Sequence, residues 1–295
     1  MGQDGRRGTG LRNFGKALLW MSGALTIGAA HAQVTQVEGS AGGGIVPWAL
    51  LHPTAVASFT YVNTNDYSLQ TLVVGGTIMN RVELSAAQER LNAPTVGNAL
   101  SLDNSIRQNI FGAKVKLLDM GKDDYVPQVA LGVQFKKATG QIVDTLKNAD
   151  AISDTSGTDV YLVASKVVSV GGRTLILNGA LRGTKANQFG LLGFGGGSAG
   201  NDSYKAKIEL SGGVFLADNV VLGGEYRDKP NNISSSVFGI KEEGAWDVWV
   251  AYFPNKAMSL TLAYANLGQV GPARSAVPAM ASKQEGLYLQ VQGNF

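Results

Sequence analysis

The sequence is built from short runs in which apolar and polar residues alternate with a period of two. In the clearest run, 204–216, apolar Ile208 and Leu210 alternate with charged Lys207 and Glu209. This period is typical of β-strands, because successive side chains of a strand point to opposite faces. Most runs have about the 9–11 residues that a tilted strand needs to cross a membrane. Twelve such runs follow one another, at 54–63, 66–78, 80–91, 104–119, 125–138, 158–170, 173–186, 203–217, 219–228, 244–254, 256–267 and 284–295.

The links between the runs alternate in length. After the first hairpin, the short links have the sequences MN, MGKDD, SVGG, ADN and PNK. The long links cover 92–103, 139–157, 187–202, 228–243 and 268–283. Outer-membrane barrels combine short periplasmic turns with long external loops and an even number of strands. The sequence therefore predicts an all-β fold, a transmembrane antiparallel up-and-down β-barrel of about 12 strands with short periplasmic turns and long extracellular loops.

The first 32 residues have the features of a secretory signal peptide. Four basic residues precede the apolar stretch 17–30, and the sequence AHA at 30–32 fits the small-x-small cleavage rule. We therefore expect a cleaved signal at 1–32, a glycine-rich N-terminal segment at 33–53 and the barrel at 54–295. The predicted location is the bacterial outer membrane.

The charge of the chain changes when the predicted signal is removed. The full chain has 25 Lys and Arg against 22 Asp and Glu. The signal contains four of the basic residues and one of the acids, so 21 of each remain. The apparent basicity belongs to the export signal, and we expect no nucleic-acid partner.

The composition restricts the chemistry that the chain can perform. There is no cysteine, and His52 is the only histidine after residue 32. Disulfides, thiolate metal sites, cysteine nucleophiles and histidine clusters for a metal are therefore excluded. A barrel hydrolase built on a histidine would rely on His52 alone. We predict a protein that is not an enzyme and that needs neither a metal nor another cofactor.

If the apolar faces of the strands contact lipid, the opposite faces line the lumen. With Arg81 and Glu83, the charged candidates on those faces comprise eight positive and four negative residues. This basic excess would bias a pore toward anions. Alternatively, opposite charges pair across a narrow barrel and hold it shut. The candidate pore-lining residues are Lys114, Lys116, Lys136, Arg182, Lys205, Lys207, Glu209, Glu225, Arg227 and Asp247.

Two glycine-rich segments are candidates for closing the lumen. The segment GSAGGGIVPWALLHP, at 39–53, has too many glycines for a helix and contains apolar Ile45 and Trp48. We expect it to plug the barrel or to lie at the periplasmic mouth. The loop 187–201 lacks the Gly-Lys-Ser/Thr of a phosphate-binding loop, and we expect it to narrow the external mouth. Its candidate constriction residues are Leu191, Leu192 and Phe194.

The chain ends in an alternating run, GLYLQVQGNF, whose last residue is Phe295. A barrel pairs its last strand with its first, so the run would not remain an open edge. We expect Phe295 to lie in the inner aromatic girdle and to act as a signal for the barrel-assembly machinery. The other predicted partners are outer-membrane lipid, lipopolysaccharide and a small solute. Further girdle candidates are Tyr61, Tyr67, Tyr125, Tyr204, Tyr226, Trp246, Tyr252, Phe253 and Tyr264.

Eight motifs are distributed along the chain: GGGIVPWALL, DYSLQTL, NRVELS, FGAKVKL, PQVALGVQFKK, ANQFGLLGFGGG, GEYRDKPNN and VWVAYFPNKAMSLTLAYANLG. Together they resemble a proteobacterial family of predicted outer-membrane proteins that is known as a domain of unknown function. The resemblance covers about residues 42–295. It implies a Gram-negative outer membrane, and it implies no activity and no functional residue.

These observations favour two functions. The first is a narrow channel or a component of envelope transport, closed from below by the N-terminal segment or from above by the loop 187–201. The second is a barrel that does not conduct and that serves as a scaffold, receptor or export partner through its outer loops. A barrel of this size is small enough for side chains to block its interior.

Overall fold

The alternating runs form the wall of a closed β-barrel. The computed structural model describes residues 34–53, 55–121, 125–234 and 238–295, and the predicted signal peptide lies outside them. The first two strands, β1 (Val34–Thr35) and β2 (Ala41–Gly42), form a short hairpin. The wall follows as β3 (Ala55–Thr64), β4 (Ser68–Ile78), β5 (Val82–Asn92), β6 (Ser105–Leu118), β7 (Gln128–Thr139), β8 (Ser156–Val170), β9 (Arg173–Thr184), β10 (Lys205–Ala217), β11 (Val220–Arg227), β12 (Ala245–Asn255), β13 (Met258–Asn266) and β14 (Glu285–Asn294).

Every wall strand pairs antiparallel with its neighbours in the chain. The barrel closes because β14 pairs with β3, from Gly286 opposite Thr64 to Asn294 opposite Val56. The backbone groups of Phe295 and Ala55 extend this seam by one further pair of hydrogen bonds. The predicted fold, an antiparallel up-and-down barrel of 12 strands, is confirmed. Each predicted run corresponds to one strand of the wall.

The two ends of the barrel differ. The short links after β4, β6, β8, β10 and β12 lie at the end where the wall also begins and finishes, and we call this the inner end. The long loops after β5, β7, β9, β11 and β13 lie at the opposite, outer end. These loops contain helix α1 (Pro94–Leu100), helix α2 (Gln141–Asn148) and a 3-10 turn (Asn187–Gly190). The alternation of the strands did not predict them, because a period of two reports on extended chain only.

The outward faces of the strands are apolar. Large side chains such as Leu72, Phe111 and Leu181 are more than half exposed there, as a lipid-facing wall requires. Tyr67 departs from the predicted girdle: it is buried, and its hydroxyl donates to the carbonyl of Val270. The reason is that Tyr67 lies in a link, where strand alternation no longer sets its direction. Within the described residues, no helix has the length and apolar character of a membrane span.

The outer loops pack together over the end of the barrel, and we call this apolar assembly the lid. Helix α2 contributes its buried face, with Ile142, Val143 and Leu146. Leu146 follows Ile142 by four residues and Val143 by three, so the three side chains share one side of the helix. The other loops supply the remaining contacts of the lid, from Val96, Ile152, Leu191, Leu192, Ile233, Ile240, Val270, Val277 and Met280.

Candidate functional site

Residues 34–53 lie inside the barrel, and we call this segment the plug. From Val34 to His52 every residue of the plug is buried. Glycine is required where the plug meets the wall: a Cβ atom on Gly43 would lie 1.7 Å from an oxygen of Glu225. The plug is also packed by apolar contacts, including a tilted pair formed by Trp48 and Trp249 with ring centroids 6.2 Å apart. The lumen is therefore filled by backbone and side chains of the plug.

In the inner half of the barrel, Lys114 of β6 holds the plug by its backbone. The Lys114 Nζ atom donates to the carbonyl oxygens of Leu50 at 2.7 Å and Trp48 at 2.9 Å. It also donates to the Ser40 hydroxyl at 3.0 Å and forms an ion pair with Glu83 at 3.1 Å. Because one ammonium group contacts Ser40 as well as Trp48 and Leu50, it holds two separate parts of the plug against the wall.

Glu83 of β5, directly opposite Lys114 on the adjacent strand, contacts the same part of the plug. Its carboxylate accepts hydrogen bonds from the Ser40 hydroxyl at 2.9 Å, the Ala41 N–H at 3.2 Å and the His52 N–H at 2.8 Å. The His52 Nε2 atom lies 3.0 Å from the carbonyl oxygen of Gly39, within the plug. His52 thus ties the end of the plug to its hairpin, and no described serine or carboxylate bonds to its ring.

In the outer half, the tip of the plug carries Glu38, which meets three cations of the wall. Arg227 binds both carboxylate oxygens of Glu38, at 2.8 and 3.2 Å. Lys136 forms a short ion pair with the same carboxylate, and Arg182 lies 4.0 Å away. The side chains of Glu38 and Lys136 are completely buried. Bidentate and charge-assisted contacts of this kind are the strong ones in a protein interior.

The same three cations also bind two carboxylates of the wall. Lys136 lies 2.7 Å from Asp159. Arg182 lies 2.5 Å from Glu209 and 3.4 Å from Asp159, and the Arg227 Nε atom lies 3.0 Å from Glu209. With Glu38, the network has three positive and three negative members. The wall alone has an excess of one positive charge at this place, and the plug neutralises it.

A second carboxylate of the wall, Glu225 of β11, accepts hydrogen bonds from the plug backbone. The donors are the Ile45 N–H at 2.6 Å and the Val46 N–H at 3.2 Å. Asp247 is directly opposite Glu225 on β12, and neither of its buried carboxylate oxygens has a hydrogen-bond partner among the described residues. The two acids form the negative part of the lumen.

The lid touches the plug network through the 3-10 turn. The Phe189 ring lies 4.1 Å from the Arg227 guanidinium, and its carbonyl oxygen accepts a hydrogen bond from Lys136. The carboxylate of Glu242, from the loop after β11, accepts the Gln188 N–H at 3.0 Å. Burial raises the pKa of Glu242 to about 7, although nearby Lys229 favours its charged form. Burial lowers the pKa of Lys229 to about 8, and Glu242 opposes this shift.

A cavity of about 60 Å³ remains between the plug and the lid. It is lined mainly by apolar side chains, including Val37 and Ile45 of the plug and Leu191 and Leu192 of the lid. This volume equals that of about two molecules of liquid water, at about 30 Å³ each. A typical ligand pocket has about 300–1,000 Å³, so the cavity is far too small for one. Between the buried residues of the lid and those of the plug, the described part of the lumen is therefore largely filled.

The structure places the predicted pore-lining residues at the outer rim, near the inner end and inside the lumen. Lys205 and Lys207 are half-buried at the outer rim, where Lys207 pairs with Asp228 at 3.0 Å. Lys116 is near the inner end and pairs with exposed Asp119 at 2.6 Å. The others point into the lumen and are buried there, namely Lys114, Lys136, Arg182, Glu209, Glu225, Arg227 and Asp247.

The basic excess expected from the sequence is not found among the buried charges of the strands. The buried charges of the described strands are four positive (Lys114, Lys136, Arg182 and Arg227) and six negative (Glu83, Glu89, Asp159, Glu209, Glu225 and Asp247). Sequence reasoning missed Glu38, Glu89 and Asp159. Glu89 has the same parity as Glu83 on β5 and could have been found. For Asp159 the sequence does not fix the direction, because Tyr161 and Lys166 indicate opposite phases for the run at 158–170. Tyr161 faces inward on that strand, as Asp159 does.

The residues proposed to close the lumen are buried in the plug and in the lid. Ile45 and Trp48 belong to the buried plug, and Leu191, Leu192 and Phe194 are buried in the lid. Phe295 follows β14 at the inner end and is 79% exposed.

Within the described residues, no group of three or more histidine, cysteine or acidic side chains has the arrangement of a metal site. No curated protein matches the chain. Among solved structures, the COG4313 outer membrane channel from Pseudomonas putida F1 is similar at 14% identity and a TM-score of 0.48, over 84% of this chain and 97% of that one. The NanC porin has 12% identity and a TM-score of 0.46, over 82% and 100%. The KdgM porin has 10% identity and a TM-score of 0.45, over 81% and 99%.

These likenesses concern the fold of an outer-membrane β-barrel. A family model gives the more specific match, over residues 31–292, which is nearly the whole chain. The chain therefore belongs to the family described as Protein of unknown function (DUF3034).

Proposed function

We propose that this protein is an outer-membrane channel that its own plug and lid hold closed. The observation that carries the proposal is the contrast between a polar wall and a separate segment that fills it. Polar residues occur among the inward side chains along the whole length of the wall, including Thr60, Thr71, Gln108, Gln134, Asn178, Gln290 and Gln292. A lumen of this kind can be hydrated when the plug leaves it, as in the interior of porins.

The unpaired polar atoms of the wall support the proposal. The hydroxyls of Ser58, Thr71, Ser259 and Thr261 are buried and have no hydrogen-bond partner among the described residues. A buried polar group without a partner destabilises the state that contains it. Water in an open lumen would bind these hydroxyls, so hydration offsets part of the cost of moving the plug.

The Glu38 network would act as the latch of the closed state. Removing one member of a buried ion pair costs about 3–5 kcal/mol, because its partners remain charged. Any input that opens the channel therefore has to neutralise the cations that Glu38 leaves. Once the plug is out, the wall carries four positive and six negative buried charges. We expect the open lumen to prefer cations.

A second function is favoured by the charge pairing itself. With Glu38 in place, every cation of the network has a carboxylate partner, which suits a permanently filled barrel. Such a barrel would act through its outer loops as a scaffold, receptor or export partner.

Conductance of the mature chain in planar bilayers tests the two functions. The wild type is expected to open rarely, and Glu38→Gln to open at least about a hundredfold more often, because about 3 kcal/mol corresponds to that ratio. The matched control is Asp119→Asn, which removes a carboxylate whose ion pair with Lys116 is exposed. A salt gradient reads the selectivity of the open state.

A thiol probe distinguishes a closed channel from a scaffold. The chain has no cysteine, so Ala49→Cys places a single thiol in the buried plug. In the background of Glu38→Gln, a channel exposes this thiol to a water-soluble maleimide. A folded, inserted variant that neither conducts nor reacts would establish the scaffold function instead.

A further inference from the structure

Three basic side chains point outward, toward the membrane, near the outer end of the barrel. They are Arg90 of β5, Arg107 of β6 and Lys137 of β7, and all three are exposed. Their inward neighbours along the strands are buried, so the alternation places these cations on the lipid side of the wall. We call the three residues the outer basic patch.

Strand register brings the three cations close together. Arg90 and Arg107 are directly opposite each other on adjacent strands, which sets their Cβ atoms about 5 Å apart. Lys137 is opposite Asn109, so it is the diagonal neighbour of Arg107, at about 7–8 Å. Like charges in such positions repel each other and destabilise a sheet. An anion bound between them would remove this repulsion.

The barrel itself supplies no such anion. None of the three forms an ion pair with a described residue. The described acids of the wall strands are buried in the lumen, except Glu285, which bonds to Tyr264 and Asn266 on another side of the barrel. The side chains next to the patch, Gln88 and Asn109, are neutral amides, and Gln88 donates a hydrogen bond to Asn109 at 3.1 Å.

The height of the patch matches the headgroups of the outer leaflet. The outer ends of other strands carry outward aromatic residues, Tyr61, Tyr226, Trp246 and Tyr264, which are typical of the membrane boundary. Arg90 and Arg107 each lie two residues from the outer end of their strands. Toward the inner end, the same face continues with Phe111 and Phe135, which are exposed to lipid.

We propose that the outer basic patch binds the phosphorylated headgroup of lipopolysaccharide. Arginine binds phosphate through two parallel N–H donors, and lysine adds a point charge. The acyl chains would then cover Phe111 and Phe135. A second copy of the chain fits less well, because the described strands present no cluster of outward acids that would face the patch.

The test compares two variants with the same change in charge. The first is Arg90→Gln/Arg107→Gln/Lys137→Gln. The control is Arg81→Gln/Arg173→Gln/Lys256→Gln, which neutralises three exposed cations at the inner end. Each protein is refolded in detergent with lipopolysaccharide, and native mass spectrometry measures the fraction that retains the lipid. A parallel series uses lipopolysaccharide whose headgroup phosphates have been removed.

We expect the patch variant to retain at least about tenfold less lipopolysaccharide, with no loss in the control. Removing the phosphates should lower binding by the wild type to the level of the patch variant. Equal retention by the two variants would overturn the proposal, as would equal binding of the dephosphorylated lipid. A dimer that the patch variant loses while lipid retention is unchanged would instead assign the patch to a second copy of the chain.

Discussion

At the scale of single residues, the structure is governed by where charged groups are placed. The role of Glu38 depends on its ion pairs with Arg227, Lys136 and Arg182, which belong to three different strands. In the sequence it is one acid in a glycine-rich leader, where Gln36 donates a hydrogen bond to it at 2.9 Å but no basic residue is near it in the chain. Closure of the barrel brings Glu38 next to partners that are distant in the sequence, of which Arg227 is the farthest.

Glu242 makes the docking of the lid sensitive to pH. Its pKa is raised from 4.5 to about 7, so its contribution to stability is complete below about 4.5 and is lost as the pH rises through about 7. The contribution of Lys229, whose pKa is lowered to about 8, is lost as the pH falls through that value. Of these two groups, only Glu242 therefore changes the stability of the lid between about pH 5 and about pH 7.

We expect the free energy of unfolding to fall by up to about 3 kcal/mol between about pH 5 and about pH 7 through this group. Glu242→Gln should remove that part of the pH dependence, because the amide oxygen can still accept the Gln188 N–H without titrating. Urea unfolding in lipid vesicles measures it. The control is Glu243→Gln, which changes a neighbouring half-buried acid. The same slope in both variants would contradict the assignment.

At the scale of elements, the fit between adjacent strands depends on residue size. Gly132 of β7 is opposite Tyr161 of β8, whose ring lies across the glycine. The Tyr161 ring also lies 4.8 Å from the Arg182 guanidinium, and its hydroxyl contacts Ser40 of the plug at 3.1 Å. The glycine therefore allows one aromatic ring to connect the wall, the charge network and the plug.

Gly132→Ala tests this packing. The new Cβ atom would lie 2.1 Å from Cζ of Tyr161, so the ring has to move and its contacts with Arg182 and Ser40 weaken. Overpacking of this kind costs about 1–3 kcal/mol, and we expect a lower unfolding midpoint in urea. The matched control is Gly183→Ala on β9, where the nearest atom would be 3.8 Å from the Cβ. An unchanged midpoint for Gly132→Ala would show that the ring position is not fixed.

At the scale of the whole molecule, closure of the barrel depends on its last strand. The backbone of Phe295 exchanges hydrogen bonds with Ala55, whereas the residue as a whole is 79% exposed. The ring therefore contributes little to the finished barrel. We propose that the ring acts during assembly instead.

Phe295→Ser should separate assembly from stability. We expect its level in the outer membrane of cells to fall several-fold, while the purified variant refolds in detergent like the wild type. Tyr252→Ser removes another exposed aromatic residue of the inner end and serves as the control. Immunoblots of membrane fractions and heat-modifiability on gels measure the two properties. Equal membrane levels of both variants would exclude an assembly role of the Phe295 ring.

The sequence by itself determined the wall of this protein. Alternation of side chains and the lengths of the links depend only on neighbours in the chain, so they predicted all twelve strands and their two unequal ends. The glycine-rich stretch 39–53 was also expected to close the lumen with Ile45 and Trp48, or to lie at its periplasmic mouth.

Only the tertiary structure decided what fills and balances the lumen. Glu38 and Asp159 enter the charge network through ion pairs between residues far apart in the chain. With Asp159 and Glu89 included, the buried charges of the strands are mainly negative, whereas the sequence predicted a basic excess. The outer basic patch likewise depends on the register of β5, β6 and β7. Electrostatic energy depends on distances in space, and distances in space are set when the barrel closes.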